Sequence, residues 1–339
     1  MTAAMVPEND LEVSAIGGGE RAMAMDPGPA VPQRRRGPSI RRWRRRGEHL
    51  GLAFRAATVI TRRLPDRTRY GLADIGGASA HLFLRSRAEV ALQNYLVFTG
   101  GDRREAARLT RRAFRNYART VMDFLVLEKL LAAVIDGDPK PETAALEKEL
   151  TGGQPAIVVT PHFGNWDLGA AVTASCGRQV HAVADQFGPP AVDDLVRAAR
   201  EKVGVRVIPT GPASARQALR ALRQGDVLCL AADIDKSGQG VAVKFLGQSV
   251  LFPGGPATLA IRTNATLIPG YVRRLRGGGH EAALWPPLSP PNSGATEERV
   301  GILTQGIADS FEAMIRLDPS QWFAFHRLPL APPGAETAR

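Results

Sequence analysis

His162-Phe163-Gly164-Asn165-Trp166-Asp167 is the stretch of this chain whose side chains are best suited to proton transfer. An imidazole held by a carboxylate keeps one tautomer and is stabilised as it becomes a cation, which is how a general base is built. On a continuous helix, His162 and Asp167 would point about 140° apart at 3.6 residues per turn. With His162 in a turn and Asp167 in the first coil of a following helix, the two side chains are expected to meet. No Ser, Cys or Thr lies inside the six residues. The expected client of the base is therefore a hydroxyl or water of the substrate, deprotonated as it attacks an activated acyl group.

Other candidates stand where strands should end. Asn165 suits a helix N-cap, and Asp167 the first helical turn, where a carboxylate complements the dipole. Asp233 and Asp235 follow an apolar run, and either tune the imidazole, bind acceptor hydroxyls, or merely cap a helix. Gly254 and Gly255, between two prolines, offer backbone N–H groups to an oxyanion or phosphate, unless the turn is purely steric. Arg200 is a candidate ligand for a phosphate or thioester oxygen, against the plainer reading of a solvent-facing helical arginine. Asn165, Arg200, Asp233, Asp235, Gly254 and Gly255 are thus the candidate substrate-binding set, with His162 and Asp167 catalytic. No second histidine or acid cluster has metal-ligand spacing, and no Gly-x-Ser-x-Gly elbow is present, so neither a metal nor a serine nucleophile is expected.

The elements that must position these residues alternate. Apolar runs predict strands at Ala156 to Thr160, Val180 to Ala184, Val205 to Ile208, Val227 to Ala231 and Leu267 to Val272, with added strands at Val241 to Phe245 and Ala282 to Trp285. Helices are expected at Leu168 to Ser175, Ala191 to Val203, Ala213 to Arg223, Gly255 to Arg262 and Glu297 to Ile315. That alternation predicts an α/β fold with a mainly parallel central sheet flanked by helices. In such a sheet, ligands bind at the carboxyl ends of strands, where His162 would lie. Before it, residues 49–135 read as an N-terminal helical segment, with helices at Tyr70 to Phe83, Ala88 to Phe98 and Arg103 to Leu131. Residues 136–330 form the expected α/β domain, between a disordered basic tail at 1–48 and a frayed end at 331–339.

Charge is divided unevenly. Residues 33–120 carry 22 Arg against six acids, whereas residues 121–339 carry 21 basic against 22 acidic side chains. The net charge of +11 is therefore a local excess, suited to an anionic partner. Arginines around Trp43, followed by the amphipathic run Leu50 to Ile60, suit the interface of a membrane with anionic lipids; nucleic acid is the rival partner and is not favoured. Arg55 interrupts the longest apolar run, so no spanning helix is expected. No charged start leads into an apolar run, so a standard export signal is not expected either. Cys176 and Cys229 lie in apolar segments and read as reduced core thiols.

The order of parts resembles a known family, the lysophospholipid acyltransferase-like enzymes of the lipid A lauroyl/myristoyl acyltransferase group, and within it the actinobacterial phosphatidylinositol mannoside acyltransferases. Pro161 to Asp167 looks like that family's His-x4-Asp core. Arg200 with Gly204, Asp233-Ile234-Asp235, Phe245-Leu246-Gly247 and Pro253-Gly254-Gly255-Pro256-Ala257 follow in the family's order. The inositol mannoside group tends to carry an arginine between the two acids, where this chain has Ile234. The likeness spans roughly residues 50 to 330.

The resemblance implies a glycerolphosphate acyltransferase-like fold. It also implies transfer of a fatty acyl group from acyl-CoA, or from acyl carrier protein, to a hydroxyl of a glycolipid or lysophospholipid, with no cofactor, metal or covalent acyl-enzyme. Combined with the basic amphipathic N-terminal segment, it gives a peripheral enzyme on the cytoplasmic face of the plasma membrane. A lipid A-type or lysophospholipid acyltransferase, a hydrolase on the same site, and a non-enzymatic membrane adaptor are the rival readings.

Overall fold

The structure, a computed structural model of the 339-residue chain, describes residues 40–136, 150–235 and 238–332, with backbone only over 40–48. Most of the expected tail and the residues beyond 332 lie outside the described residues.

Helix α1 (Ile40–Arg63) begins inside the stretch read as disordered tail, because nothing between Pro38 and Gly47 breaks a helix and arginine is a good helix former. Pro65 ends this run and precedes α2 (Asp66–Phe83), which is followed by α3 (Arg85–Phe98). Asp102 caps α4 (Arg103–Phe124), its carboxylate accepting from the N–H groups of Arg104 and Glu105. The single helix expected as far as Leu131 is instead broken at Leu125 and Val126, after which α5 runs Leu127–Ile135. Leu125, Val126 and Leu127 are all buried, so packing decides the break where no Pro or Gly marks it. Gly77 lets α2 lie close on α4, since a Cβ there would sit 2.6 Å from the backbone of Phe114 and Arg115.

The central sheet has the order β3-β2-β4-β1-β7-β8. Its strands are β1 (Ala156–Thr160), β2 (Val180–Ala184), β3 (Val205–Pro209), β4 (Val227–Ala231), β7 (Thr266–Arg274) and β8 (His280–Leu284). All neighbours are parallel except the β7–β8 hairpin. Crossovers are made by α6 (Trp166–Ala174), α7 (Pro190–Lys202), α8 (Ser214–Arg223) and α9 (Gly255–Thr263), and α10 (Thr296–Leu317) closes the chain. The mainly parallel α/β fold expected from the alternation is the fold observed. Strand β5 (Val241–Phe245) turns at Leu246 and Gly247, both with positive φ, into β6 (Gln248–Phe252), a strand the apolar pattern does not signal.

Alternate residues of each strand face opposite sides, so two cores form. Ile157, Val159, Leu228 and Leu267 pack with Phe311 and Trp322 on one side, where Tyr95 of α3 and Leu109 of α4 join the same core. Ala156, Val158, Val227 and Ile268 pack with Leu127 and Leu168 on the other. The N-terminal helices are therefore docked on the sheet. They leave Leu52 and Ile60 of α1 exposed, and on α2, which the sequence reads as an ordinary packed helix, Ile75, Leu82 and Phe83 are more exposed still.

Candidate active site

Strand β1 lies in the middle of the sheet and delivers His162 at its carboxyl end. Gly164 has φ +62°, and a Cβ there would collide with the Val272 carbonyl, so the turn is open only to glycine. Asn165 N–H donates to that same carbonyl at 2.7 Å. Asn165 Oδ1 then accepts from Leu168 N–H at 3.0 Å and starts α6. Asn165 is only 1% exposed, and its Oδ1 and N–H shape the turn.

The carboxylate that meets His162 is Asp233. Thr160 of β1 is paired with Ala231 of β4, and His162 and Asp233 each stand two residues beyond that pair. Parallel register therefore brings them side by side, with His162 Nδ1 2.5 Å from Asp233 Oδ1. Asp233 is 4% exposed. Burial alone pushes its carboxyl up, but the His162 charge and hydrogen bond, helped by Trp322, hold it below the ordinary carboxylate value. An ionised Asp233 only accepts, so Nδ1 carries the proton and the basic lone pair is on Nε2. Trp322 Nε1–H donates to the other oxygen, Oδ2, at 3.2 Å.

The expected His162–Asp167 pair is thus replaced. Asp167 leaves the first turn of α6 toward α7, where Arg200 Nε–H donates to its Oδ1 at 2.7 Å. The guanidinium of Arg200 also lies over the Phe124 ring. His162, Asp167 and Arg200 line one cavity of about 350 Å³, together with Arg87, Trp166 and the aromatic rings of Phe54, Tyr117, Phe187 and Phe323. Trp166, edge-on to the His162 ring, also borders a second and larger cavity of about 780 Å³. That one is walled mainly by apolar groups, including Val158, Ala170, Val272 and Leu284. Cys229 lines it too, its thiol pushed up to about 12 by burial.

The remaining expected residues, Asp235, Gly254 and Gly255, do not line the cavity that holds His162. Asp235 accepts from Gly240 N–H at 3.0 Å and braces its own loop. Gly254 and Gly255 begin α9. Sequence reasoning misses Trp322, which follows the last expected helix and belongs to no motif. It also misses Phe323, whose N–H donates to the His162 carbonyl at 2.8 Å. No spacing rule points to either. Among the described residues, no group of three or more His, Cys, Asp or Glu side chains is placed to hold a metal ion, and no helix is long and apolar enough to cross a membrane.

Against known proteins, the sequence profile described as bacterial lipid A biosynthesis acyltransferase matches residues 36–329. The chain is 31% identical over 180 residues to the phosphatidylinositol mannoside acyltransferase of Mycobacterium tuberculosis, a stretch covering 52% of this chain and 55% of that relative. It is 32% identical over 176 residues to the enzyme of the same description from Mycolicibacterium smegmatis, covering 51% and 56%. The chain therefore spans about half the length of the curated relatives it matches.

Proposed function

The chain belongs to the bacterial lipid A biosynthesis acyltransferase family, and on that premise we propose that it transfers a fatty acyl group from an acyl thioester to a hydroxyl of a glycolipid. A phosphatidylinositol mannoside is the favoured acceptor, from the descriptions of its relatives. The observation that carries the reading is the His162–Asp233 pair, whose histidine lines a cavity shared with Arg200 and several aromatic rings.

In this reading His162 Nε2 takes the proton of the acceptor hydroxyl as its oxygen attacks the thioester carbonyl carbon. The tetrahedral intermediate collapses, the C–S bond breaks, and the departing thiolate receives the proton from Nε2. Asp233 holds the ring and offsets the charge of the imidazolium. Arg200, positioned by Asp167 on the same cavity wall, supplies positive charge to the oxyanion or to a phosphate of a substrate. Gly254 and Gly255 stand outside that cavity and are given no part in this step. The donor is acyl-CoA or acyl carrier protein, and no step calls for a metal or cofactor. The acyl chain passes Trp166 into the larger cavity, whose volume falls in the range of roughly 300–1,000 Å³ found for ligand pockets.

Membrane docking belongs to the same proposal. The exposed apolar residues of α1 and α2 lie among arginines, a composition that favours the surface of an anionic bilayer on the cytoplasmic side. Phe54 of α1 also lines the His162 cavity, which supports entry of lipid substrates from that surface.

The test is thiol release by purified protein on anionic vesicles, with palmitoyl-CoA and a panel of mannosylated inositol lipid, lysophospholipid and lipid A precursor acceptors. Release that depends on an acceptor, and identifies its class, supports the reading. Release indifferent to every acceptor would make the protein a thioesterase.

A further inference from the structure

We propose that Trp322 is a positioning residue for this reaction, its indole N–H fixing one oxygen of Asp233 so that the other is presented to His162. The inference rests on the acyl-transfer reading and extends it to a residue outside the sequence motif.

The orientation of a carboxylate just past a strand end is set by the donors on its oxygens; besides the two side-chain donors, the His162 backbone N–H also favours the Asp233 anion. In Asp233, Oδ1 meets His162 Nδ1 at 2.5 Å and Oδ2 accepts from Trp322 Nε1–H at 3.2 Å. The indole is itself fixed, for Trp322 is 2% exposed and its ring meets those of Tyr95 and Phe245 edge-on at 5.8 and 6.0 Å. Tyr95 O–H donates to the Trp322 carbonyl at 2.6 Å.

The backbone around Trp322 is bound to the other half of the pair. Trp322 bridges Phe163 in antiparallel fashion, Gly164 N–H donates to the Gln321 carbonyl at 2.9 Å, and Phe323 N–H donates to the His162 carbonyl at 2.8 Å. The Gln321 side chain accepts from Arg274 N–H at 2.9 Å and donates to the Arg274 carbonyl at 2.8 Å, which ties the segment to β7. One short run of chain therefore sets the backbone of the base and the side chain of its partner. A buried indole N–H needs an acceptor in any case; what distinguishes this one is that its acceptor is the carboxylate that pairs with His162.

The chemical consequence follows from charge. A donor on Oδ2 stabilises the anion and limits how strongly Oδ1 attracts the Nδ1 proton. Without it, Asp233 becomes more basic and the imidazolium is favoured, so the acid limb of the rate moves to higher pH. Trp322 lines neither cavity, so donor binding should be untouched.

The experiment measures kcat and KM for palmitoyl-CoA against pH, with the full chain on anionic vesicles. The variants are Trp322→Phe, β-benzothienylalanine at position 322, which keeps the ring and lacks the N–H, and His162→Ala. We expect kcat to fall about tenfold in both Trp322 variants, the effect of one lost hydrogen bond to a charged group. The acid limb should rise by about half a unit to one unit, with KM for the donor unchanged. An acid limb identical to wild type in the benzothienyl variant, whether or not Trp322→Phe folds, overturns the proposal. So does a loss confined to KM. Activity retained by His162→Ala sinks the assignment of His162 as the base and the Trp322 role with it, whereas failure of the Trp322 variants alone leaves the acyl-transfer reading standing.

Discussion

Arg200 and Asp167 hold one another, Nε to Oδ1 at 2.7 Å, and so join the last turn of α7 to the first turn of α6 on the wall of the His162 cavity. Asp167 thereby acts on an arginine. Asp167→Asn should lower kcat/KM for the acyl donor by about tenfold or more, as expected for a partly buried charged hydrogen bond, and leave the acid limb of kcat in place. Steady-state rates across pH check this. An acid limb displaced by Asp167→Asn would mean that its carboxylate does govern the imidazole.

Asp123 of α4 is fully buried, accepts from Tyr70 O–H at 2.8 Å and His280 Nε2–H at 3.2 Å, and is bonded to Arg274. Arg69 is also buried, 3.8 Å away. Asp123→Asn would leave the buried Arg274 guanidinium short of a counter-charge, whereas Arg69 keeps Asp66 at 3.3 Å, and should destabilise the fold by about 3–5 kcal/mol. Urea unfolding at neutral pH measures that loss.

Acid should reveal the same group. Burial pushes the Asp123 carboxyl up, but His280 and Arg274 hold it below the ordinary value overall. A folded-state pKa below the unfolded one gives stability that is present above the ordinary carboxylate range and is lost as pH falls through the depressed value. Wild-type stability should therefore fall more steeply below about pH 4 than that of Asp123→Asn. Urea midpoints taken at several acidic pH values check the slope; parallel curves would contradict it.

Gly169 lies on α6 and lines the larger cavity, and a Cβ added there would make only an ordinary 3.6 Å contact with Val272. Gly169→Leu should fill space without moving the helix. If that cavity takes the acyl chain, kcat/KM for palmitoyl-CoA should fall by about 10- to 100-fold, the scale of a few methylenes in an apolar pocket, while octanoyl-CoA is spared. Equal losses for both donors would place the chain elsewhere.

Leu52 is 63% and Phe83 is 84% exposed, although both are large and apolar. Each buried in a bilayer interface would contribute about 1.5–3 kcal/mol. Leu52→Glu and Phe83→Glu should each weaken co-sedimentation with anionic vesicles by about tenfold or more. Unchanged sedimentation would remove α1 and α2 as the docking surface.

The strands were the most legible part of the sequence. Ala156 to Thr160, Val180 to Ala184 and Val227 to Ala231 are apolar runs bounded by polar or turn residues, and the structure places strands at those limits. Gln248 to Phe252 has no such contrast, and its pairing depends on a turn at Leu246 that a bulky residue rarely makes. The break at Val126 left no mark because tertiary burial, not a helix breaker, produces it.

The site was half legible for the same reason. His162 and Asp167 are five residues apart, and a chain read by local spacing pairs them. The partner of His162 is set instead by how β1 and β4 align, which single-chain spacing does not encode. Asp233 was visible as an acid at a strand end, but its role needed the register. Trp322 needed the whole fold.

The most direct test is the rate of acyl transfer by Asp233→Asn beside the wild type, measured in a single turnover with palmitoyl-CoA and the acceptor identified on anionic vesicles. The account predicts a fall of about 10²-fold or more, because the asparagine neither offsets the imidazolium nor fixes its tautomer. A rate close to wild type would show that His162 does not depend on Asp233, and would contradict the mechanism.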